Sequence, residues 1–205
     1  GRILGLNVPE LVFVQVDDAL GRNEPDPEIR ALLRASVGLN LALDYLPGSI
    51  MFDAAAGDAA DAELASRAVW FDAFITNVDR TAYNPNLLYW HKSLYFIDHG
   101  AALYFHHDWP TLERVATTPF AQIKTHVLLP WAERIVDADQ GLRLLLTEAV
   151  LAGLVALVPD SWLESTAHER SPAAMRNEYL EYFLRRLNAA PNFVQEAVRA
   201  RAQLV

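Results

Sequence analysis

The sequence predicts an α+β protein in which strands cluster in the first half of the chain and helices fill the second half. Short apolar and β-branched runs, which are typical of strands, lie before Trp109. The residues that follow Trp109 read as a succession of helices. Because strands and helices do not alternate along the chain, a parallel βαβ sheet is not expected.

The first elements are indicated by two apolar runs and by proline. A strand is expected over residues 10–17, which are rich in valine and leucine. A helix over 28–36 follows, because Pro27 suits the first turn of a helix. A second strand is expected over 39–46, and the proline–glycine pair that follows it should end regular structure there.

The middle of the chain holds a helix and a hairpin. A helix is expected over 61–75, with one buried face formed by Leu64, Ala68, Phe71 and Ile75. The apolar runs 86–90 and 94–98 flank His91-Lys92-Ser93 and predict a hairpin with a three-residue loop. The later helices are expected over residues 111–116, 119–136, 139–158, 171–188 and 191–203.

Composition indicates one main globular unit. The 205 residues are 52% hydrophobic and 21% charged, a balance typical of a chain that buries a sizeable core. No linker separates two independent domains. The single boundary that composition suggests lies at Pro47-Gly48. It divides a small strand-rich part, residues 1–47, from a larger and mostly helical part, residues 48–205.

Composition also excludes several classes of function. The chain has no cysteine, so disulfides, thiolate metal sites and cysteine nucleophiles are excluded. Nucleic-acid-binding proteins usually carry a net positive charge, whereas this chain has a net charge of −9, so no nucleic acid is expected as a partner. The longest apolar region, 144–158, is shorter than the roughly 20 residues that a membrane-spanning helix needs. No membrane partner is expected, and the cytoplasm is the expected location.

Three polar residues in the middle of the chain suggest phosphoryl transfer. Asp79 follows the predicted helix, Asn84 comes five residues later, and Asp98 ends the predicted hairpin. A carboxylate in such a loop can orient an acceptor hydroxyl, while an amide oxygen and a second carboxylate can share Mg²⁺. Strand alternation with Leu94 and Phe96 is expected to turn Asp98 towards the loop. Asp and Asn after a helix also serve simply as caps and turn formers.

The stretch 74–107 resembles the catalytic core of the HipA-like kinases, a bacterial group distantly similar to protein kinases and phosphoinositide kinases. Those families carry Asp-Arg-His-x-x-Asn in the catalytic loop, and this sequence has Asp79-Arg80-Thr81-Ala82-Tyr83-Asn84. Ile97-Asp98-His99-Gly100 stands where the family has its second metal-binding Asp. Upstream, residues 38–48 look like the strand and hinge whose backbone meets adenine.

The resemblance implies a protein-kinase-like fold, with a partial N-lobe and hinge over 1–47 and a C-lobe over 48–205. It implies an ATP- and Mg²⁺-dependent phosphotransferase in which Asp79 is catalytic and Asn84 and Asp98 are metal ligands. The acceptor is expected to be a hydroxyl, either of a protein Ser/Thr, which is favoured, or of a small molecule.

The same resemblance implies where the adenine of ATP would lie. The hinge would be formed by Asp44, Tyr45 and Leu46, and Leu88 and Ile97 would lie beneath the base. The rest of the chain, including the helical tail, carries no motif that adds to this assignment.

The sequence departs from the family pattern in two ways. Thr81 stands where the family usually has His. No Gly-rich phosphate loop and no lysine precede the catalytic loop, since the two lysines are Lys92 and Lys124. The expectation is therefore a fragment that lacks the phosphate-loop portion, a chain whose missing half is supplied elsewhere, or a degenerate kinase. The alternative function is a non-catalytic, kinase-like interaction module of the toxin–antitoxin type.

Histidines suggest weaker alternatives. His106-His107-Asp108 could bind zinc, but no third spaced ligand is evident, so a polar loop is expected. A metal hydrolase that uses these histidines together with Asp98 and His99 is a distant third hypothesis. His126 and His168 stand alone in helical context and are expected at surface or capping positions.

Overall fold

The computed structural model describes residues 1–164 and 170–204. Its first sheet is a two-stranded antiparallel ribbon. Strands β1 (Leu11–Val16) and β2 (Gly38–Leu43) pair along their full lengths, and helix α1 (Pro27–Ala35) connects them. Helix α1 begins at Pro27, after Asp26 accepts hydrogen bonds from two amides of the first turn. The ribbon is open to solvent: the opposed Phe13 and Leu41 are 52% and 53% exposed.

The second sheet carries one buried face. Strands β3 (Ile50–Met51), β4 (Leu87–Trp90) and β5 (Ser93–Phe96) are antiparallel and lie in that order. Leu87 and Phe96 are opposite each other and fully buried. Leu88 and its partner Tyr95 share the other face and are half-buried.

The hairpin turn is tighter than the sequence predicts. Trp90 pairs with Ser93, so the turn consists of His91 and Lys92 alone. Both residues have positive φ, 48° and 65°. Two consecutive positive φ values match the right-handed twist of the flanking strands, and this is why two-residue turns of that type join hairpins.

Helix α2 (Ala62–Phe74) is the central element of the fold. Asp61 caps its start by accepting from the amides of Glu63 and Leu64. The single buried face predicted from the sequence is too narrow, because α2 is covered on several sides. Fully buried residues include Ala65, Val69 and Trp70, whereas Leu64 and Phe71 are only half-buried.

The C-terminal part is helical, as predicted, but two of its expected helices are broken. Its helices are α3 (Leu112–Thr117), α4 (Ile135–Leu145), α5 (Glu148–Ala156), α6 (Asp160–Leu163), α7 (Pro172–Asn188) and α8 (Ala190–Arg201). The expected helix over 119–136 is instead two 3₁₀ turns, since Phe120 has φ 61° and Pro130 lies in the second turn. The expected helix over 139–158 is interrupted at Leu146, and Thr147 caps α5.

Trp162 links the helical part to the first sheet. The indole nitrogen of Trp162 donates to the carbonyl of Leu39 at 3.0 Å, and its ring lies 5.7 Å from that of Phe13. Within residues 1–164 and 170–204, no helix has both the length and the apolar character needed to cross a membrane.

Candidate active site

The segment after α2 carries Asp79 and is held at its start by an asparagine. Asn77 donates through Nδ2 to Asp72 Oδ1 at 3.0 Å, and its Oδ1 accepts from the Asp79 amide at 3.2 Å. Thr76, just before it, has φ 54°, which turns the chain out of the helix. The last turn of α2 therefore fixes the backbone position of Asp79.

The structure brings Asp79 and Asn84 into direct contact. Asn84 Nδ2 donates to Asp79 Oδ2 at 2.7 Å, and Asn86 Nδ2 lies 3.5 Å from the same oxygen. Thr81 closes the loop between them: its amide donates to the Asn84 carbonyl at 3.1 Å, and its hydroxyl accepts from the Asn84 amide at 3.3 Å. The five-residue spacing thus produces a compact loop in which one carboxylate is held by two amides.

Asp98 lies two residues beyond the end of β5. Its φ is 46°, and its Oδ1 accepts from the Gly100 amide at 3.1 Å. Strand alternation predicts the burial of Leu94 and Phe96 but does not extend to Asp98, because the backbone leaves the extended conformation first. The segment is still paired to the loop that carries Asn84, since the Ile97 amide donates to the Asn86 carbonyl at 3.0 Å.

Asn84 and Asp98 each keep a side-chain oxygen of the kind that Mg²⁺ prefers as a ligand. A carboxylate oxygen can only accept, so the amide nitrogen of Asn84 faces Asp79 and its Oδ1 has no hydrogen bond to a described residue. In the same way, Asp98 Oδ1 accepts from the Gly100 amide, and Asp98 Oδ2 has no hydrogen bond to a described residue. Mg²⁺ prefers oxygen ligands, and one or two protein ligands suffice when phosphates and waters supply the rest. At Gly100, a Cβ would lie 3.2 Å from Asp98 Oδ1, so the small residue leaves room for that carboxylate.

A buried ionic network lies directly behind this loop. Arg80, 1% exposed, donates through Nε to Asp72 Oδ2 at 2.5 Å. His126 Nε2 lies 2.9 Å from the same oxygen. Burial alone would raise the pKa of Asp72, but Arg80 and His126 outweigh it and hold that pKa well below its usual range.

His126 is neutral and has a defined tautomer. Its Nδ1 accepts from the Leu128 amide at 3.0 Å, so Nε2 carries the proton that is donated to Asp72. Burial lowers the pKa of His126, and Asp72 opposes this only in part. The backbone of the same segment pairs with the loop that carries Asp79, since the Val127 amide donates to the Arg80 carbonyl at 3.0 Å.

This network was not predicted from the sequence. His126 was expected at a surface or capping position. It caps the end of the first 3₁₀ turn, but its side chain is 2% exposed, so the surface alternative is wrong. The available signal was Asp72, a carboxylate inside the apolar run from Val69 to Ile75, which indicates a buried cationic partner. His168 lies outside the described residues.

The predicted hinge continues the β1–β2 ladder. The Asp44 amide donates to the Glu10 carbonyl at 2.8 Å, and Tyr45 is 81% exposed while Leu46 is buried. The backbone amides of Tyr45 and Leu46 donate no hydrogen bond to any residue in the described part of the chain. Free amides of this kind are what a strand-like segment needs in order to pair with a planar heterocycle.

The two residues expected beneath the adenine are both half-buried. Leu88 lies on the face of the second sheet opposite the core, and Ile97 continues the pairing of β5. The indole nitrogen of Trp90, also in β4, donates to the Pro47 carbonyl at 3.0 Å. That bond ties this sheet to the residue that follows the predicted hinge.

Two of the remaining histidines, His106 and His107, lie next to each other. His106 Nε2 and His107 Nε2 are 2.9 Å apart in a 3₁₀ turn. Among the residues that the structure describes, no group of three or more His, Cys, Asp and Glu side chains could hold a metal ion. His99 packs edge-on against Phe71, and burial followed by the charge of Arg80 lowers its pKa to about 4.

Comparison with known proteins agrees with the kinase resemblance. The family model described as HipA-like kinase matches residues 1–196. Searches of curated proteins and of solved structures returned no match. The match spans the predicted hinge, the Asp79 loop and the Asp98 segment, so it covers every residue assigned to the site.

Proposed function

We propose that this chain, which belongs to the HipA-like kinase family, transfers the γ-phosphate of ATP to a hydroxyl acceptor with Asp79 as the catalytic residue. The observation that carries the proposal is the contact of Asp79 with Asn84, in a loop whose Asn86 carbonyl accepts a hydrogen bond from the amide of Ile97, the residue before Asp98. In phosphoryl transfer the protein acts mainly by positioning and by stabilising charge. These three residues supply an acceptor-facing carboxylate and two oxygen ligands.

Asp79 would act on the acceptor. Its Oδ2 accepts from Asn84, which orients the carboxylate and leaves the other oxygen for the acceptor hydroxyl. Asp79 would hold that hydroxyl in line with the γ-phosphate and take its proton as the new oxygen–phosphorus bond forms, while the bond between the γ-phosphorus and the bridging oxygen breaks and ADP leaves. Its half-buried position restricts solvent without removing the carboxylate from reach of a second molecule.

Asn84 and Asp98 would hold the metal, and the hinge would hold the base. Mg²⁺ bound there would neutralise charge on the phosphate oxygens. Tyr45 and Leu46 have backbone amides that no described residue uses, which supports contact with adenine. Leu88 and Ile97 would offer an apolar surface beneath the base, since both are half-buried and lie outside the core.

The proposed acceptor is a protein Ser/Thr, with a small-molecule hydroxyl as the alternative. One observation favours a second candidate function, a non-catalytic interaction module. The first sheet exposes large apolar side chains, including Phe13 and Leu41, and exposed apolar patches commonly mark interaction sites.

Calorimetric titration with ATP, with and without Mg²⁺, tests the proposed function. Binding should be weak and should depend on Mg²⁺, and Asp98→Asn should weaken it by at least about tenfold, the loss of one charged ligand interaction. Asp137→Asn is the matched control, because this carboxylate is exposed and its ion pair with Arg134 lies at the surface. Tight binding that is indifferent to Mg²⁺, or unchanged in Asp98→Asn, would contradict the assignment.

A further inference from the structure

Arg80 follows Asp79 in the sequence, but its side chain joins the two segments that carry the proposed metal ligands. Its Nη1 donates to the Asn86 carbonyl at 2.6 Å and reaches the Ile97 carbonyl at 3.3 Å. Asn86 lies two residues after Asn84, and Ile97 immediately precedes Asp98. One guanidinium nitrogen of Arg80 therefore donates to both segments, next to the hydrogen bond between the Ile97 amide and the Asn86 carbonyl.

We propose that Arg80 is a positioning residue that sets the separation of Asn84 and Asp98 by clamping the carbonyls of Asn86 and Ile97. This inference rests on the proposed function, because it assigns a role in holding the metal ligands of that site. Arg80 itself contacts neither nucleotide nor acceptor in this role.

The clamp requires an arginine that is fixed at its far end. The guanidinium is planar and presents its donors in a rigid fork, so its Nε can bind Asp72 while Nη1 faces the two carbonyls. A lysine has one compact ammonium group and cannot occupy both positions. The buried charge is tolerated because Asp72 neutralises it, and the ring of Phe96 lies 5.3 Å from the guanidinium carbon.

His126 fixes the other side of the clamp. It donates to the Asp72 oxygen that Arg80 also contacts, and its second nitrogen is held by the Leu128 amide. Asp72 is therefore oriented by a segment 54 residues away in the sequence. The anchor that positions Arg80 comes from outside both segments that Arg80 joins, so the clamp does not depend on the site loops alone.

A second buried arginine offers a matched control for a purely structural role. Arg186 is fully buried, donates to the carbonyls of Ala73, Ala116 and Thr118, and lies 4.5 Å from the ring of Phe193. It resembles Arg80 in burial, in its carbonyl partners and in its aromatic contact. None of its partners adjoins a residue assigned to the metal site.

The experiment compares Arg80→Lys with Arg186→Lys in the full chain. Thermal unfolding is measured first, and both variants should be destabilised. Mn²⁺·ATP binding is then measured by calorimetry, well below both unfolding transitions. Arg80→Lys should weaken binding about tenfold, as expected for one lost buried charged hydrogen bond, and Arg186→Lys should not. Hydrogen exchange of the Ile97 amide, which donates to Asn86, should be accelerated only in Arg80→Lys.

The outcomes separate the two claims. If the wild-type chain does not bind Mn²⁺·ATP, the proposed function is overturned and the positioning role falls with it. If the wild type binds and Arg80→Lys binds equally well, or if Arg186→Lys is weakened as much, only the positioning role is overturned.

A second variant keeps the test decisive if Arg80→Lys does not fold. His126→Gln retains a donor for Asp72 but alters the anchor from the third segment. It should weaken Mn²⁺·ATP binding by a smaller factor, about threefold, since a neutral hydrogen bond contributes less than a charged one. Wild-type affinity in His126→Gln, together with unchanged exchange at Ile97, would overturn the proposal.

Discussion

Substituting Asp72 with Asn should destabilise the protein far more than the same change at a surface carboxylate would. Asp72 is fully buried and accepts from Arg80 at 2.5 Å, from His126 at 2.9 Å and from Asn77 at 3.0 Å. An asparagine side chain at this position would preserve the shape but leave the Arg80 charge without a counter-ion in the interior. Breaking a buried pair from one side typically costs about 3–5 kcal/mol. The free energy of unfolding should fall by that amount.

Thermal and urea unfolding measure this effect directly. For a chain of this size about 1 kcal/mol shifts Tm by roughly 2–4 °C, so Asp72→Asn should lower Tm by roughly 6–20 °C. Asp137→Asn, whose side chain is 72% exposed, should change stability by less than about 1 kcal/mol. If Asp72→Asn lowered the free energy of unfolding by no more than the ~1 kcal/mol expected of a surface pair, the buried network would not have the role given to it here.

Three further predictions concern pH, the contact between the two parts, and the glycine beside Asp98. His99 and His126 have pKa values below 6.5 in the folded protein, so the unfolded chain takes up protons first as pH falls. The free energy of unfolding from urea melts should therefore decrease between pH 6.5 and about 4, by up to about 1.4 kcal/mol per pH unit for each histidine. A flat profile would contradict both assignments. Trp162→Phe removes the indole hydrogen bond to Leu39 and should cost about 1 kcal/mol in urea unfolding, whereas an unchanged midpoint would show that this bond is not formed in solution. Gly100→Ala places a methyl group 3.2 Å from the Asp98 carboxylate and should weaken Mn²⁺·ATP binding in calorimetry without a comparable loss of Tm; equal affinity would argue against Asp98 as a ligand.

The parts of the site that are local in sequence were predicted as elements. A loop carrying Asp79 and Asn84 after a helix and a hairpin before Asp98 were both expected, whereas the direct Asp79–Asn84 hydrogen bond was not. Both depend on interactions between residues less than about 20 positions apart, which periodicity and turn chemistry can indicate. The family resemblance rests on the same local stretches.

The parts that depend on distant segments were not predictable. His126 reaches Asp72 only because the chain between α3 and α4 folds into two 3₁₀ turns, where a continuous helix was expected. The apolar composition of the segment between α3 and α4 is compatible with a continuous helix and with two 3₁₀ turns. Phe120, in this segment, has a positive φ, which a phenylalanine rarely adopts. In this region, tertiary packing therefore outweighs the local helix propensity of the sequence.

The path of the chain at Asp98 shows the same limit at shorter range. Alternation predicts which residues of β5 face the core, and Leu94 and Phe96 are indeed buried. The strand ends at Phe96, and Asp98 adopts a left-handed conformation. Asn and Asp tolerate that conformation better than other residues, but sequence alone does not say at which residue a strand ends.

The central claim is that Asp79 acts on the acceptor hydroxyl while Asn84 and Asp98 act on the nucleotide. The most direct test is transfer of radiolabelled γ-phosphate from ATP, with autophosphorylation or an added protein acceptor as the readout, in the wild type and in Asp79→Ala. We expect transfer by the wild type, and its loss in Asp79→Ala with Mg²⁺·ATP binding nearly unchanged. Transfer at the wild-type rate by Asp79→Ala would contradict the catalytic assignment, and no transfer by the wild type would favour the non-catalytic interaction module.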